Sequence, residues 1–321
     1  MAQLNTDRRE LLYRPNTLGW KEQYVSAVHM KLADLRGICR NQYLNKEISE
    51  PGEWTRYEVP HYPHPVEFHA STIAHETNEV GARGILQSGG FKGLDRELLW
   101  WHPQFSTEEV AAAEQRYLDK VFPERTEGQR RRHEERPFLH HFTTSHAFTD
   151  ESRFGNFHFS FQLEEILQAY STQFCAGQRP VFRKYETVIY RQNITYKVLV
   201  HSPSVDHYDC FPILGDNEDV CAYSNGEIIW HAQAICGTHT LELNIARNRQ
   251  HLVAMGTRNE EFYAWDVVSL ALHVPKRRIF QVSEEALKAA LTACGPDDLH
   301  LNDGMMSLDE AEAIVNQMRA T

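Results

Sequence analysis

Apolar positions along the chain fall into short runs whose period changes several times. Val25, Val28, Leu32, Leu35 and Ile38 stand three or four residues apart, which predicts a helix over 23–40. The run Pro60-His61-Tyr62-Pro63-His64-Pro65 then breaks regular structure, because each proline biases the residue before it toward extended backbone. Val66-Glu67-Phe68-His69 alternates apolar with polar residues, the period of a half-buried strand. A helix follows from about 76 to 87, with Val80, Ile85 and Leu86 on its buried side. It stops at Ser88-Gly89-Gly90, where glycine accepts the left-handed backbone of a helix C-terminus. Residues 107–136 are charged and read as helix, entered at Thr107 with Glu108 and Glu109 in the first turn.

Further along, Phe157, Phe159 and Phe161 alternate with polar residues and predict a strand, followed by a short helix over 163–171. Strands are predicted over 181–190 and 194–201. The segment 202–219 is loop-like, with Pro203, Pro212 and Gly215-Asp216-Asn217, and a domain boundary is placed there. Beyond it, strands are expected over 227–236, 238–245 and 261–274, with Asn225-Gly226 as a tight turn. Helices follow over 284–293 and 307–319, the second entered through Ser307 and Glu310, a capping box. The pattern gives an α+β chain.

Composition narrows the function classes. Hydrophobic residues make up 41% of 321 residues, enough for a real core and too many for a wholly disordered chain. Lys and Arg number 33 against 44 Asp and Glu, a formal charge of −11, which argues against a general grip on nucleic-acid phosphates. The basic run Arg130-Arg131-Arg132-His133 is followed at once by Glu134-Glu135 and reads as a solvated helix face. The six cysteines contain no CxxC pair, so neither a disulfide framework nor a Cys-based zinc site is expected. No stretch approaches the ~20 apolar residues of a membrane helix, the first residues lack an apolar signal run, and Ala2 stands where myristoylation needs glycine. A soluble protein of the cytoplasm, with no membrane partner, is expected.

Several familiar chemistries have no signature here. There is no phosphate-binding P-loop, no dinucleotide fingerprint and no nucleophile elbow. His75-Glu76-Thr77-Asn78-Glu79 begins like a zinc-protease helix but carries Glu79 where a second imidazole is needed. The 18 histidines match no ligand spacing, so no metal is expected. Glu186 is different: it interrupts the apolar run Tyr185-Glu186-Thr187-Val188-Ile189-Tyr190, and charge is rarely buried without a partner or a task. A carboxylate on a rigid strand can accept a hydrogen bond from a sugar hydroxyl and stabilise positive charge at a breaking glycosidic bond. Taken alone, His69 reads more readily as a structural imidazole, and Glu186 equally as an edge carboxylate paired with Arg183, Lys184 or Arg191.

Together these stretches resemble the poly(ADP-ribose) polymerase type of ADP-ribosyltransferase. Phe68-His69-Ala70-Ser71-Thr72, the helix after it, and Gly84-Ile85-Leu86-Gln87-Ser88-Gly89-Gly90-Phe91 are similar to that family's first motif. The run from Tyr185 through Ile194-Thr195-Tyr196-Lys197-Val198-Leu199-Val200 is similar to its last catalytic segment, a Glu-containing strand leading through a short turn into a second strand. The resemblance implies a split antiparallel β-sheet over 60–203, preceded by a helical or irregular segment over 1–59 and followed by a β-rich C-terminal extension over 204–321. It implies an enzyme that takes NAD as substrate and transfers mono-ADP-ribose to an intracellular macromolecule, with a protein as acceptor. Glu186 would polarise the nicotinamide ribose, His69 would hydrogen-bond a ribose hydroxyl, and the backbone of Ala70 would meet the nicotinamide amide. Ser152 would bind the same amide, while Phe154 and Phe142 would stack on the ring.

The chain departs from that pattern at two positions. Ala70 replaces the usual glycine, and Phe142 stands where the triad tyrosine is expected, so a stacking ring remains without its hydroxyl. The related RNA 2′-phosphotransferase branch needs a basic RNA surface, which the net charge disfavours. The toxin-like branch needs a glutamate two residues before Glu186, where Lys184 stands. The alternative reading is a catalytically inactive module that keeps the fold for binding.

Overall fold

Eighteen strands and six helices form within the residues that the computed structural model describes: 9–15, 21–27, 66–93, 97–121, 123–135, 139, 143, 147–152, 154–190, 193–215, 220–232, 241–246, 249–254, 264–296 and 305–320. The first part of the chain gives β1 (Arg9–Pro15), β2 (Lys21–Ala27), β3 (Val66–Ala70), β4 (Thr72–Thr77), α1 (Glu79–Ser88), β5 (Gly90–Phe91), β6 (Leu98–Gln104), α2 (Thr107–Val121) and α3 (Glu127–Glu135). The middle gives β7 (Glu151–Ser152), β8 (Phe157–Gln162), α4 (Leu163–Phe174), β9 (Val181–Tyr190), β10 (Asn193–His201), β11 (Cys221–Ser224) and β12 (Glu227–Ala232). The last part gives β13 (Leu241–Ala246), β14 (Arg249–Ala254), β15 (Ala264–His273), β16 (Phe280–Gln281), α5 (Glu284–Ala290), β17 (Leu291–Ala293), β18 (Gly295–Pro296) and α6 (Leu308–Ala320).

Nine strands make one sheet in the order β1-β2-β9-β10-β15-β6-β4-β8-β17. The chain is therefore α+β, but this sheet is mixed rather than antiparallel. β15 enters between β10 and β6 and runs parallel to β10, with Val198 opposite Leu270. A second sheet, β11-β12-β3, pairs Phe68 with Trp230. Both sheets thus contain strands from each side of the 203/204 boundary. Among the described residues no helix is long and apolar enough to cross a membrane.

The core follows from aromatic residues on neighbouring strands. Phe91 is fully buried, with its ring centroid 5.0 Å from Trp101, 5.5 Å from Phe159 and 6.2 Å from Phe161. Phe68, Phe105, Phe148 and Trp230 form a second aromatic group on the buried face shared by β3 and β12. Such ring pairs add directional attraction to the area they bury. At one end of α1, Asn78 accepts a hydrogen bond from the Gly81 amide. At the other, Gly89 takes φ +67° and its amide donates to the carbonyls of Ile85 and Leu86, as the glycine turn predicts.

Several sequence expectations shift here. Residues 23–27, expected as helix, lie in β2, where Tyr24 pairs with Tyr190 and Val25 with Ile189. Pairing with β9 outweighs a weak helical period; residues 28–40 and the proline run 60–65 lie outside the described residues. The helix expected from 76 starts at Glu79, because 72–77 pairs with β8 as β4 and Asn78 supplies the cap. The buried side of that helix is consequently Ala82 and Ile85, while Val80 is 80% exposed. The long helix over 107–136 is two helices, α2 and α3, with Pro123 between them and Thr126 entering a capping box with Gln129. Ser283 caps α5, which ends at Ala290 because Leu291–Ala293 pairs with β8. The sequence pattern marks no strand over 249–254, where β14 pairs with β13 as a hairpin.

Candidate functional site

β3 is an edge strand, and that position organises the side chains around His69. Val66, Phe68 and Ala70 face the core, so Glu67 and His69 emerge together on the opposite face. His69 lies opposite Ile229, which brings Glu227 and His231, two residues to either side on β12, within reach. The imidazole sits between two carboxylates, with Nε2 2.8 Å from Glu67 Oε1 and Nδ1 3.0 Å from Glu227 Oε2. His231 Nε2 stands 3.4 Å from the other Glu67 oxygen.

The outer edge of β3 is closed by α2. The Glu109 carboxylate accepts from the His69 amide, and Arg116 donates to the Glu67 carbonyl at 2.8 Å and also to Glu109. Two side chains thereby occupy the positions that a further strand would fill. Burial draws the His69 pKa down, but the hydrogen bonds to Glu67 and Glu227 outweigh it and leave the ring above its ordinary value.

Glu186 is half-buried on β9, with Lys197 Nζ 2.7 Å from Oε2. Lys197 lies over the Trp100 ring, 4.9 Å from its centroid. The register between β9 and β10 slips there: Lys197 faces Glu186 while Val198 faces Lys184, so Tyr185 is an extra residue on β9. A bulge of this kind turns the strand and re-aims the side chains beside it. His69 and Glu186 stand on different sheets. Between β9 and β4, which continues the strand of His69, lie three strands, a span of about 19 Å at the usual ~4.8 Å spacing.

The remaining predicted residues divide. Ala70 is fully buried, and its backbone lies opposite Ile228. Ser152 is also fully buried; its hydroxyl accepts from the Phe154 amide and pairs with Cys294. Phe154 is 53% exposed, and the glycine after it lies against the backbone of Thr77 and Asn78, so the ring is displayed near the start of α1. Phe142 lies outside the described residues.

Sequence alone missed the ring of groups around His69. The alternation of β3 places Glu67 beside His69, but Glu227 is 158 positions away and only strand pairing joins it. The His75-Glu76 pair also has a structural use. His75 Nδ1 is 2.8 Å from the Trp100 carbonyl, to which it donates, while the Glu76 carboxylate is buried 3.4 Å from His102 Nε2. Among the described residues no group of His, Cys, Asp and Glu is placed to hold a metal ion.

Burial lowers the pKa of His75, His158, His201 and His273, against hydrogen bonds that favour the charged form in all but His158. A depressed histidine contributes stability that is present above about pH 6.5 and is lost as the pH falls through the folded value. The melting temperature is therefore expected to fall between pH 7.5 and pH 5.0. The rings themselves are checked by nitrogen NMR: a ring among the four that already carries both protons at pH 6.5 is not held neutral. Comparison of the chain with protein-family models, with curated proteins and with solved structures gives no match.

Proposed function

We propose that the chain is an NAD-dependent mono-ADP-ribosyltransferase acting on a protein acceptor. The observation that carries this reading is the first-motif stretch: β3 ends in His69-Ala70, Ser71 separates it from β4, α1 follows, and Gly89 closes the helix in left-handed backbone before Phe91 enters the core. Along that stretch the imidazole is partly open to solvent and the following alanine is buried. Phe154 offers an exposed ring for a flat, cationic nicotinamide, whereas the inward-turned hydroxyl of Ser152 does not fit a role at an open site.

In the reaction, the bond between the ribose anomeric carbon and the nicotinamide nitrogen breaks and nicotinamide leaves with the bonding pair. The acceptor's lone pair then bonds that carbon and the acceptor loses a proton. Glu186 would hydrogen-bond the ribose and offset positive charge on its ring, which requires the carboxylate to exchange its Lys197 contact for substrate.

A second reading, a binding module without transfer, is favoured by two observations: the close Glu186–Lys197 pair and the three strands between β9 and β4. The two readings separate in one experiment. The full chain is incubated with labelled NAD and cell lysate, and free nicotinamide is measured alongside. Transfer is expected from the unmutated chain, with about a 10²–10³-fold loss in Glu186→Gln. Equal activity in that variant removes the mechanism. No label and no nicotinamide release from a folded protein supports the binding module, and titration with NAD then tests its ligand.

A further inference from the structure

We propose that Glu67 and Glu227 hold His69 as an imidazolium that clasps β3 to β12, and that this seam loosens when the ring loses its proton. The geometry is the reason. Both ring nitrogens face carboxylate oxygens, at 2.8 and 3.0 Å. An ionised carboxylate only accepts, and a neutral imidazole carries a single N–H. In the neutral ring one of the two contacts would set lone pair against lone pair, whereas the imidazolium donates at both ends.

The surrounding charges act in the same direction. Glu67 comes from β3, Glu227 and His231 from β12, and Glu109 and Arg116 from α2. Three carboxylates thus meet one guanidinium, and a charged His69 brings the cluster closer to balance. Arg116 opposes the imidazolium and Glu109 favours it, while the two direct hydrogen bonds outweigh the cost of burial. Because the folded pKa is raised, the clasp contributes fully below about pH 6.5 and is lost as the pH rises through the folded value. This is opposite in sign to the buried histidines, so a global melt mixes the two effects and a residue-specific measurement is required. The cluster is partly exposed, so the clasp is strongest at low ionic strength.

The clasp holds whether or not the chain transfers ADP-ribose, since it concerns only the protonation of one ring. It also predicts that any hydroxyl ligand reaching His69 must displace Glu67 or Glu227. The test is nitrogen NMR of the full chain labelled at histidine, followed from pH 5.5 to 9 at low salt. At pH 6.5 both His69 nitrogens are expected to be predominantly protonated, with a midpoint above that value. Glu227→Gln should move the midpoint down. In the unmutated chain, amide exchange at Phe68 and Ala70, which face β12, should speed up several-fold beyond its intrinsic pH dependence across the same titration. A neutral ring with one N–H at pH 6.5 overturns the proposal, and that measurement needs no variant. An unchanged midpoint in a folded Glu227→Gln protein also overturns it.

Discussion

Phe91→Ala is expected to destabilise the protein by about 3–5 kcal/mol, the usual cost of removing a large buried ring. Phe91 is fully buried and lies within ring-contact distance of Trp101, Phe159, Phe161, Phe280 and His75. The cavity would open between β5, β6 and β8, and rigid aromatic neighbours collapse poorly into such a space. The substitution would also admit solvent beside His75, whose ring burial keeps neutral. Urea unfolding at pH 7.5 measures the loss. A change below about 1 kcal/mol would mean that the neighbours close the gap and that the aromatic cluster is not the centre of the core.

Arg183→Ala is the second large effect, at about 2–4 kcal/mol. Arg183 is a buried cation that donates to His201 Nε2 at 2.8 Å, to the Phe211 carbonyl at 2.7 Å, and to Asp209. His201 Nδ1 is 2.8 Å from the Ser202 carbonyl, which makes it the protonated nitrogen and leaves Nε2 to accept from Arg183. Removing the guanidinium strands two acceptors, at about 1–3 kcal/mol each where burial excludes water. Asp209 is mostly exposed and adds little. The damage should concentrate in the loop 202–214, which Arg183 ties to β9 and β10. Limited proteolysis is expected to cut that loop earlier in the variant, and Arg183→Lys should rescue it poorly, because an ammonium cannot span three diverging acceptors. Unchanged cleavage would show that the backbone bonds from Lys184 to Pro212 and from Leu214 to Phe182 hold the loop unaided.

How far the chain could be read from its sequence depended on how local each signal was. The α1 stop at Gly89, the Asn225-Gly226 turn and the Ser307–Glu310 pairing are each local to a few residues, and the structure contains all three, the last with Glu310 accepting from the Ser307 amide and hydroxyl. The strands β8, β9 and β10 also fall where alternation and β-branched residues place them. Val25 and Val28, by contrast, hold a helical interval by composition alone, and β2 forms because β1 and β9 lie ready on either side. Ala289 and Ala290 continue a helical pattern that α5 abandons at Leu291, because β8 offers that residue a pairing partner.

The candidate site divides along the same line. Residue type and strand alternation mark His69 and Glu186 as the positions to examine, and they put Glu67 on the same face as His69. They leave open what each side chain meets. Lys197 reaches Glu186 through a hairpin whose register slips at Tyr185, and Glu227 reaches His69 through strand pairing across 158 positions. The insertion of β15 between β10 and β6 sets the spacing between β9 and β4, and nothing local to either strand encodes it. By itself the sequence determined the α1 stop, the Asn225-Gly226 turn and the strand periods of β8, β9 and β10, because those depend on backbone preference and near neighbours. The tertiary structure decided strand order, the carboxylates around His69 and the ammonium beside Glu186, because each is set by contacts between segments far apart in the chain.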